Sequence, residues 1–460
     1  MKCLTLQISF CFLSLFSFAQ KIDAKLSSAL MNLQSDDQFK HASISMYVED
    51  TKTGKLIFEK NSEMGLAPAS CQKVITSTSA LSLLGGNFSY LTEIGLSGSN
   101  LQTIYVKSAG DPTLGSWRWP QTSMDSINKA IVESIRKHNL KKGEYDFILD
   151  ESIYNSQATP NGWTWDDIGN YYGAGARAMN WHENQYDMVL QPSKKIGDPV
   201  KIVSTEPKLL VDSIVNELTT GASGSGDNSV IFLPENGIMA YLRGTIPLGK
   251  ETFTISGSMP NGALSFINSF GELLKNEGVH VGSLKINHDR NEVPSDMIAM
   301  QWVRSPSLDS INYWFLKRSV NLYGEAFVKT IGYKQAEDGS TEGGLKVIKD
   351  FWEKNGIDRS ALHIIDGSGL SPANRVTTHA LVQVMQYAKK QTWFPSFYLA
   401  LPELNGIKMK DGYIGGVRSF TGYVKGNDGN EYTFSFIINN YDGSAGTVRE
   451  KMWKILDLLK

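Results

Sequence analysis

The segment Pro68–Thr76 constrains this chain more than any other, because it joins a predicted hairpin to a predicted helix. Two β-like runs precede it, Ile44–Val48 and Leu56–Phe58, separated by a turn, which predicts a β-hairpin. Pro68 is typical of a helix start, and Gly85–Gly86 is typical of a helix stop. The fold must therefore place a short helix directly after a hairpin.

Ser70 and Lys73 are three residues apart within this segment, so they would share one face of a helix. A serine hydroxyl needs a base within hydrogen-bond reach, and the first helical turn favours a developing negative charge. This S-x-x-K pattern is typical of serine acyl-transfer sites. Ser126–Lys129 and Ser134–Lys137 match the same pattern, so it does not identify the site by itself.

The composition of the 460 residues is that of an ordinary globular protein, and the length predicts two or three domains. The formal net charge of −2 gives no basic field of the kind that attracts nucleic acid. We therefore predict no nucleic-acid partner. Oligomeric state stays open at this point.

The amino terminus has the features of a cleaved signal peptide, predicted to span residues 1–20. Lys2 gives a short basic region, Leu4–Phe18 is apolar, and small residues around Ala19 fit a cleavage site. No other stretch reaches the length of a membrane span. We expect a periplasmic or secreted protein with no transmembrane anchor after cleavage.

Two of the three cysteines, Cys3 and Cys11, would leave with the signal peptide, so no internal disulfide is expected. Cys71 is predicted to be a buried structural residue rather than the nucleophile, since no histidine partner is evident in the sequence. The seven histidines are scattered without metal-ligand spacing. We predict neither a metal site nor a cofactor.

Two further motifs come later in the chain. Ser319-Val320-Asn321 lies between apolar helical stretches. Lys410-Asp411-Gly412-Tyr413 leads a predicted strand that turns at Gly415–Gly416. The predicted elements that follow are the strands Val417–Val424 and Tyr432–Ile438, and an amphipathic helix over Val448–Leu459.

Taken in order, S-x-x-K, S-x-N and a K-x-G motif resemble the marks of penicillin-recognising serine enzymes. The gap of about 245 residues between the first two resembles the class C low-molecular-mass penicillin-binding proteins, the D-alanyl-D-alanine carboxypeptidases and endopeptidases. Further similar segments are Gly110–Leu114, Gly162–Trp165, Tyr171–Ala174, Asp366–Ser371 and Asn374–Thr377. The resemblance implies peptidoglycan stem peptides as substrates and β-lactams as inhibitors.

The resemblance also implies an α+β fold. A penicillin-binding, serine β-lactamase-like domain would combine an antiparallel sheet flanked by helices with a helical lobe. Residues 21–95 and 296–460 would form this discontinuous catalytic domain. Residues 96–295 would be an insertion of two smaller β-rich domains, the inner one at about 195–262.

Catalytic roles carry over from the family to matching positions. Ser70 would attack the carbonyl of a D-Ala-D-Ala bond, with neutral Lys73 as the base. Lys410 would favour that neutral form by like-charge repulsion. Ser319 would relay a proton to the leaving amine, and Asn321 would hold the substrate amide and Lys73. The backbone N–H groups of Ser70 and Tyr413 would form the oxyanion hole.

One position departs from the family motif. Asp411 stands where the family has Thr or Ser, whose hydroxyl helps to bind the terminal carboxylate of the substrate, and Tyr413 replaces a usual threonine. Repulsion between two carboxylates ~4 Å apart is about 4 kcal/mol at an effective dielectric of 20. With a two-residue turn, Tyr413 would face Arg418 and Asp411 would face Phe420, so Arg418 could pair with Asp411.

Two alternative functions stay open on the sequence. The first is a β-lactamase or esterase, because Glu151–Asn155 resembles the E-x-x-x-N deacylation element, although it lies in the inserted region, far from the expected place. A wall-binding or weakly active penicillin-binding protein, with carboxylate recognition impaired by Asp411, is the other alternative to a peptidase. The Asp411 departure also favours a substrate with no free carboxylate next to the cut, as in a cross-linked peptide.

Overall fold

The computed structural model describes residues 22–98, 100–292, 294 and 297–460. The predicted signal peptide, residues 1–20, lies outside the described residues. Two compact units emerge from the contacts: the first holds the described residues through Ser79 with Asn312–Ser319 and Lys349–Lys460, and the second holds Ala80–Ile311 with Val320–Ile348. The domain limits drawn from the sequence stay predictions.

The described chain mixes helices and strands, as predicted for an α+β protein. The helices are α1 (22–34), α2 (Lys73–Leu83), α3 (Met124–Lys137), α4 (Trp165–Ile168), α5 (Gly262–Asn276), α6 (Leu308–Lys317), α7 (Asn321–Ala336), α8 (Thr341–Lys354), α9 (Thr378–Lys389), α10 (Phe394–Ala400) and α11 (Ala445–Leu456). The strands are β1 (Ser43–Asp50), β2 (Leu56–Lys60), β3 (Leu91–Ser97), β4 (Thr103–Lys107), β5 (Gly143–Asp150), β6 (Gln185–Gln191), β7 (Lys201–Glu206), β8 (Ser213–Asn216), β9 (Thr219–Gly221), β10 (Asn228–Phe232), β11 (Met239–Pro247), β12 (Phe253–Ser258), β13 (Val279–Asn287), β14 (Ile298–Arg304), β15 (Leu362–His363), β16 (Arg375–Val376), β17 (Glu403–Leu404), β18 (Ile407–Ile414), β19 (Val417–Lys425) and β20 (Glu431–Asn439).

A six-stranded antiparallel sheet organises the first unit, in the order β17-β18-β19-β20-β1-β2. The pairing of β1 with β2 confirms the predicted hairpin. Because β1 also pairs with β20, the sheet joins the amino-terminal hairpin to the carboxyl-terminal strands. This arrangement makes β18 and β19 neighbours of the turn that carries Ser70.

Helices cover both faces of this sheet, which explains why β20 is buried along almost its whole length. On one face, Ile44 and Met46 of β1 pack in a core with α1 and with Met452 of α11. On the other face, Ser45 is hydrogen-bonded to Thr378 of α9, with 2.7 Å between their hydroxyl oxygens. The predicted carboxyl-terminal helix is confirmed, and it begins after Ser444, whose hydroxyl accepts from the Gly446 N–H.

The second unit contains a five-stranded mixed sheet in the order β13-β5-β4-β3-β14. Strand β5 runs parallel to both of its neighbours, whereas β3 is antiparallel to β4 and β14. Ile131 of α3 and Phe266 of α5 pack in one core with Phe147 of β5. A second core gathers residues of β6, β10, β11 and β12.

None of the helices in the described part of the chain is both long enough and apolar enough to span a membrane.

Candidate active site

Ser70 is presented by a tight turn rather than by the first turn of a regular α-helix. A 3₁₀ turn, Ala69–Gln72, directly precedes α2. Ala69 adopts a left-handed φ of 45°, which is uncommon for a non-glycine residue, and the N–H of Cys71 donates to the carbonyl of Pro68 at 3.2 Å. Ser70 is left partly exposed while Lys73 is fully buried.

The structure brings Ser70 and Lys73 together. The ammonium Nζ of Lys73 donates to Ser70 Oγ at 3.0 Å and to the carbonyl of Ser368 at 2.7 Å. It also lies 5.7 Å from the centre of the Phe315 ring on α6. A neutral amine held in this position would be within reach of the Ser70 proton, which is the geometry that a general base requires.

The loop 366–371 holds the buried side of this turn. Asp366 is fully buried, and its two carboxylate oxygens accept the N–H groups of Gly369 at 2.8 Å and Ser371 at 2.7 Å. Gln72 donates to Asp366 Oδ1 at 2.9 Å, and Thr76 donates to the carbonyl of Gly367 at 2.6 Å. The loop is therefore locked against the residues that flank Ser70.

Sequence reasoning missed the part that this loop plays. In the sequence, Asp366–Ser371 is a segment similar to the family, and no pattern there predicts a contact for Ser368. The available signal was the composition, since an aspartate followed by glycines and serines is typical of a turn that satisfies its own backbone groups. That signal does not reveal which side chain the Ser368 carbonyl meets.

The K-x-G motif lies on β18, beside the Ser70 turn. The predicted register is confirmed, since Asp411 pairs with Phe420 and Tyr413 pairs with Arg418. Gly412 approaches the turn so closely that a Cβ atom at this position would lie 2.9 Å from the Ser70 nitrogen. The strand and the turn are therefore in direct backbone contact.

On the side of β18 that faces away from β19, β17 pairs with Ile407 and Lys408, and no other strand of the described residues pairs with the rest of β18, so that part is a free edge. Hydrogen bonding alternates along an antiparallel pair, and Ile414 and Val417 close the two-residue turn. The N–H of Tyr413 is then directed away from β19, toward the free edge. This geometry fits the expectation that Tyr413 and Ser70 supply two backbone donors to one site.

Asp411 is held between two cations. Lys410 Nζ lies 3.1 Å from Asp411 Oδ1 and donates to the Asp411 carbonyl at 2.6 Å, while Arg418 Nη2 lies 3.5 Å from Oδ2. Burial by itself would raise the pKa of Asp411, but the charges of Lys410 and Arg418 outweigh it and hold the pKa below its ordinary value. The motif therefore carries an ionised carboxylate that is one-third exposed.

The S-x-N motif is divided between the two units. Ser319 belongs to the first unit, in the short connection between α6 and α7, where its φ of 57° is left-handed. Asn321 belongs to the second unit as the first residue of α7, and its Nδ2 donates to the carbonyl of Tyr172 at 2.8 Å. Ser70, Lys73, Lys410–Tyr413 and Ser319 therefore share one unit.

Cys71 is buried, as predicted. Its thiol contacts the carbonyl of Lys410 at 3.2 Å, and burial raises its pKa to about 11. A thiol with such a pKa has almost no thiolate at neutral pH, so it is a poor competitor of Ser70. The neighbouring cysteine is a packing residue.

The alternative deacylation element consists of Glu151 and Asn155, and both residues bind other side chains of the second unit. Glu151 is buried and forms an ion pair with Arg177 at 3.1 Å, and Asn155 Oδ1 accepts from Lys329 Nζ at 2.9 Å. These contacts are typical of a structural charge network. Across the residues that the structure describes, no group of three or more His, Cys, Asp or Glu side chains is arranged to hold a metal ion.

We expect Gly412→Ala to reduce acylation of Ser70 by penicillin at least about 10²-fold, the usual effect of losing an oxyanion donor. The added Cβ would lie 2.7 Å from the carbonyl oxygen of Pro68 as well as 2.9 Å from the Ser70 nitrogen, so the strand must move away from the turn. Stopped-flow measurement of the acylation rate checks this. Gly415→Ala is the matched control, because no heavy atom lies within 4 Å of a Cβ there. Equal rates in the two variants would show that the contact at Gly412 does not shape the site.

Comparison with known proteins adds a family and a fold. The model of a family described as "D-Ala-D-Ala carboxypeptidase 3 (S13) family" matches residues 26–458. A protein named D-alanyl-D-alanine carboxypeptidase, from an Actinomadura species, is 26% identical over 450 residues, which cover 89% of this chain and 80% of that protein.

Solved structures of penicillin binding protein 4 from Haemophilus influenzae have the same fold. One matches with a TM-score of 0.78 at 20% identity, covering 91% of this chain and 97% of the other. A second, described as a complex with a novel β-lactam, matches with a TM-score of 0.72 at 17% identity over 92% and 97% of the two chains. The predicted α+β, penicillin-binding fold is therefore confirmed.

Proposed function

This chain belongs to the D-Ala-D-Ala carboxypeptidase 3 (S13) family, and we propose on that basis that it is a peptidase of peptidoglycan stem peptides that works through a Ser70 acyl-enzyme. The predicted membership of the class C low-molecular-mass penicillin-binding proteins, and the predicted class of serine-type peptidase, are both confirmed by the family match. The observation that carries the proposal is the 3.0 Å contact between Lys73 Nζ and Ser70 Oγ, beside the backbone of Gly412.

In the first half of the reaction, neutral Lys73 takes the proton of Ser70 as Oγ attacks the carbonyl carbon of the penultimate D-alanine. The N–H groups of Ser70 and Tyr413 stabilise the oxyanion as the Oγ–C bond forms. The C–N bond then breaks, and the proton that Lys73 took from Ser70 passes through Ser319 to the leaving nitrogen, which leaves Lys73 neutral again. Lys73 positions the proton relay, and Asn321 positions the substrate amide.

In the second half, a water molecule attacks the ester carbonyl of the acyl-enzyme. Lys73 takes a proton from this water and returns it to Ser70 Oγ as the ester bond breaks. The shortened peptide leaves with a new carboxylate. A β-lactam would enter the same first half through its strained amide, but its leaving group stays attached, which motivates the proposed inhibition. The solved β-lactam complex of a relative with the same fold supports this step.

We propose that the protein acts outside the cytoplasm, as a periplasmic or secreted protein, because its proposed substrate, the peptidoglycan stem peptide, is located there. The features of residues 1–20 support this location.

Labelling with a fluorescent penicillin, followed by mass spectrometry of the Ser70 peptide, tests the proposal. We expect one covalent adduct on Ser70, together with cleavage of a D-Ala-D-Ala pentapeptide or of cross-linked muropeptides. A folded protein that forms no adduct and cleaves neither substrate would contradict it.

The second candidate function is a wall-binding or weakly active penicillin-binding protein. The ionised side chain of Asp411 favours it, since this carboxylate stands where the family uses a hydroxyl to bind the carboxylate of the substrate. Formation of the penicillin adduct without turnover of either peptide would favour this candidate over the peptidase.

A further inference from the structure

The position of Asp411 determines which groups are available to a substrate at this edge of the sheet. Lys410 is almost fully buried, with 1% of its side chain exposed, and two of its three N–H donors are directed at the carbonyl and Oδ1 of Asp411. An ammonium group has three donors, so one donor is left for any other acceptor. Lys410 is therefore mostly engaged by the residue that follows it.

Arg418 is also drawn to Asp411. Its Nη2 lies 3.5 Å from Asp411 Oδ2, and its guanidinium lies 5.8 Å from the centre of the Tyr413 ring and 5.3 Å from that of Phe420. The two aromatic rings hold the guanidinium in place, because a cation is attracted to an aromatic face. At 3.5 Å the ion pair is longer than a good hydrogen bond, and it leaves Oδ2 with capacity for another donor.

An ionised carboxylate only accepts hydrogen bonds, whereas the threonine or serine hydroxyl of the family motif also donates. At this edge, then, the chain presents an acceptor in place of a donor. A substrate carboxylate would meet a like charge, but a carboxamide could donate an N–H to Asp411 and accept from Lys410.

We propose that Asp411 is a specificity residue that selects substrates with a carboxamide, or another uncharged donor, in place of a carboxylate on the carbon next to the leaving nitrogen. Arg418 moderates this selection by partly neutralising Asp411. The inference rests on the proposed function, and it narrows the substrate class to peptides that carry a carboxamide or another uncharged donor next to the cut.

The test compares two peptides that differ only in this group, an N-acylated Lys-D-Ala-D-Ala and its carboxyl-terminal amide. The measured quantity is the ratio of kcat/KM for the carboxylate to kcat/KM for the amide. We expect a ratio below one for the wild-type protein. Asp411→Asn, which keeps the shape of the side chain and removes its charge, should raise the ratio about 10- to 100-fold. This range lies between two limits, because repulsion between two carboxylates ~4 Å apart weakens binding about 5-fold in water and about 10³-fold at an effective dielectric of 20.

Two further variants sharpen the test. Arg418→Gln should lower the ratio below that of the wild type, because Asp411 loses a neutralising partner. Glu403→Gln removes an exposed carboxylate of β17 that pairs with Lys408 of β18, so it should leave the ratio unchanged. If Asp411→Asn does not fold, Asp411→Thr replaces it, with the same expected direction.

A ratio that Asp411→Asn and Asp411→Thr leave unchanged in active protein overturns the specificity role while the proposed peptidase function stands. A wild-type protein that cleaves neither peptide and forms no penicillin adduct overturns the proposed function itself. Because the penicillin adduct is measured separately, the two failures are distinguishable.

Discussion

Ser70→Ala will abolish covalent labelling of the protein by a fluorescent penicillin. The hydroxyl oxygen forms the ester, and the thiol of the adjacent Cys71 is buried with a pKa raised to about 11. Loss of a nucleophile in a serine hydrolase reduces kcat by a factor on the order of 10⁶. Gel fluorescence and intact-protein mass spectrometry measure the adduct, and peptide cleavage should fall below detection with it.

The fold should tolerate this change, because Ser70 is partly exposed and loses one oxygen atom. An unchanged Tm checks this expectation. Ser126→Ala is the matched control, since Ser126 begins another S-x-x-K pattern but is exposed on α3, and its labelling should equal that of the wild type. An adduct that persists in Ser70→Ala, on Cys71 or elsewhere, would refute the assignment of the nucleophile.

Lys73→Ala should reduce the acylation rate by about 10² to 10⁴, the usual contribution of a positioned general base. Nothing else in the turn replaces an amine at 3.0 Å from Ser70 Oγ. The second-order rate constant for acylation by benzylpenicillin, measured by quenched-flow mass spectrometry, is the relevant quantity. A slow reaction at Ser70 should persist, because the backbone donors remain.

Lys73→Ala also creates a cavity, because the side chain is fully buried. The substitution removes the hydrogen bond that Nζ donates to the carbonyl of Ser368 as well. Lys73→Met fills most of that volume without a base, so the two variants should show the same loss of acylation but different Tm values. Near-normal acylation by Lys73→Met in a folded protein would exclude the base role. Lys129→Ala, in an exposed S-x-x-K pattern, controls for loss of a lysine.

Local signals in the sequence were sufficient for several parts of this protein. The glycine pair 415–416 limits the turn to two residues, and a two-residue turn sets the register of every later pair, which is why the pairing of Tyr413 with Arg418 could be predicted. Two β-like runs around a turn predicted the hairpin, and an amphipathic pattern predicted the terminal helix, again from residues that are close along the chain. The ordered motifs predicted the family because their combination is far more specific than any one of them.

Long-range packing decided the rest. The left-handed Ala69 that presents Ser70 has no local signature, since glycine or asparagine is the usual residue at such a φ. Its carbonyl lies against Gly369, about 300 positions away along the chain. Likewise, the pattern predicted that Arg418 could reach Asp411, but not that Lys410 would turn its own ammonium toward the next residue.

By itself, then, the sequence determined the nucleophile–base spacing and the strand register, because both depend on residues that are close along the chain. It also determined the family, because the motifs occur in a fixed order along the chain. Only the tertiary structure decided which carbonyl holds Lys73 and how the charges around Asp411 are shared. Those contacts join residues about 300 positions apart or depend on competing rotamers of long side chains, and their energies are set by burial rather than by spacing.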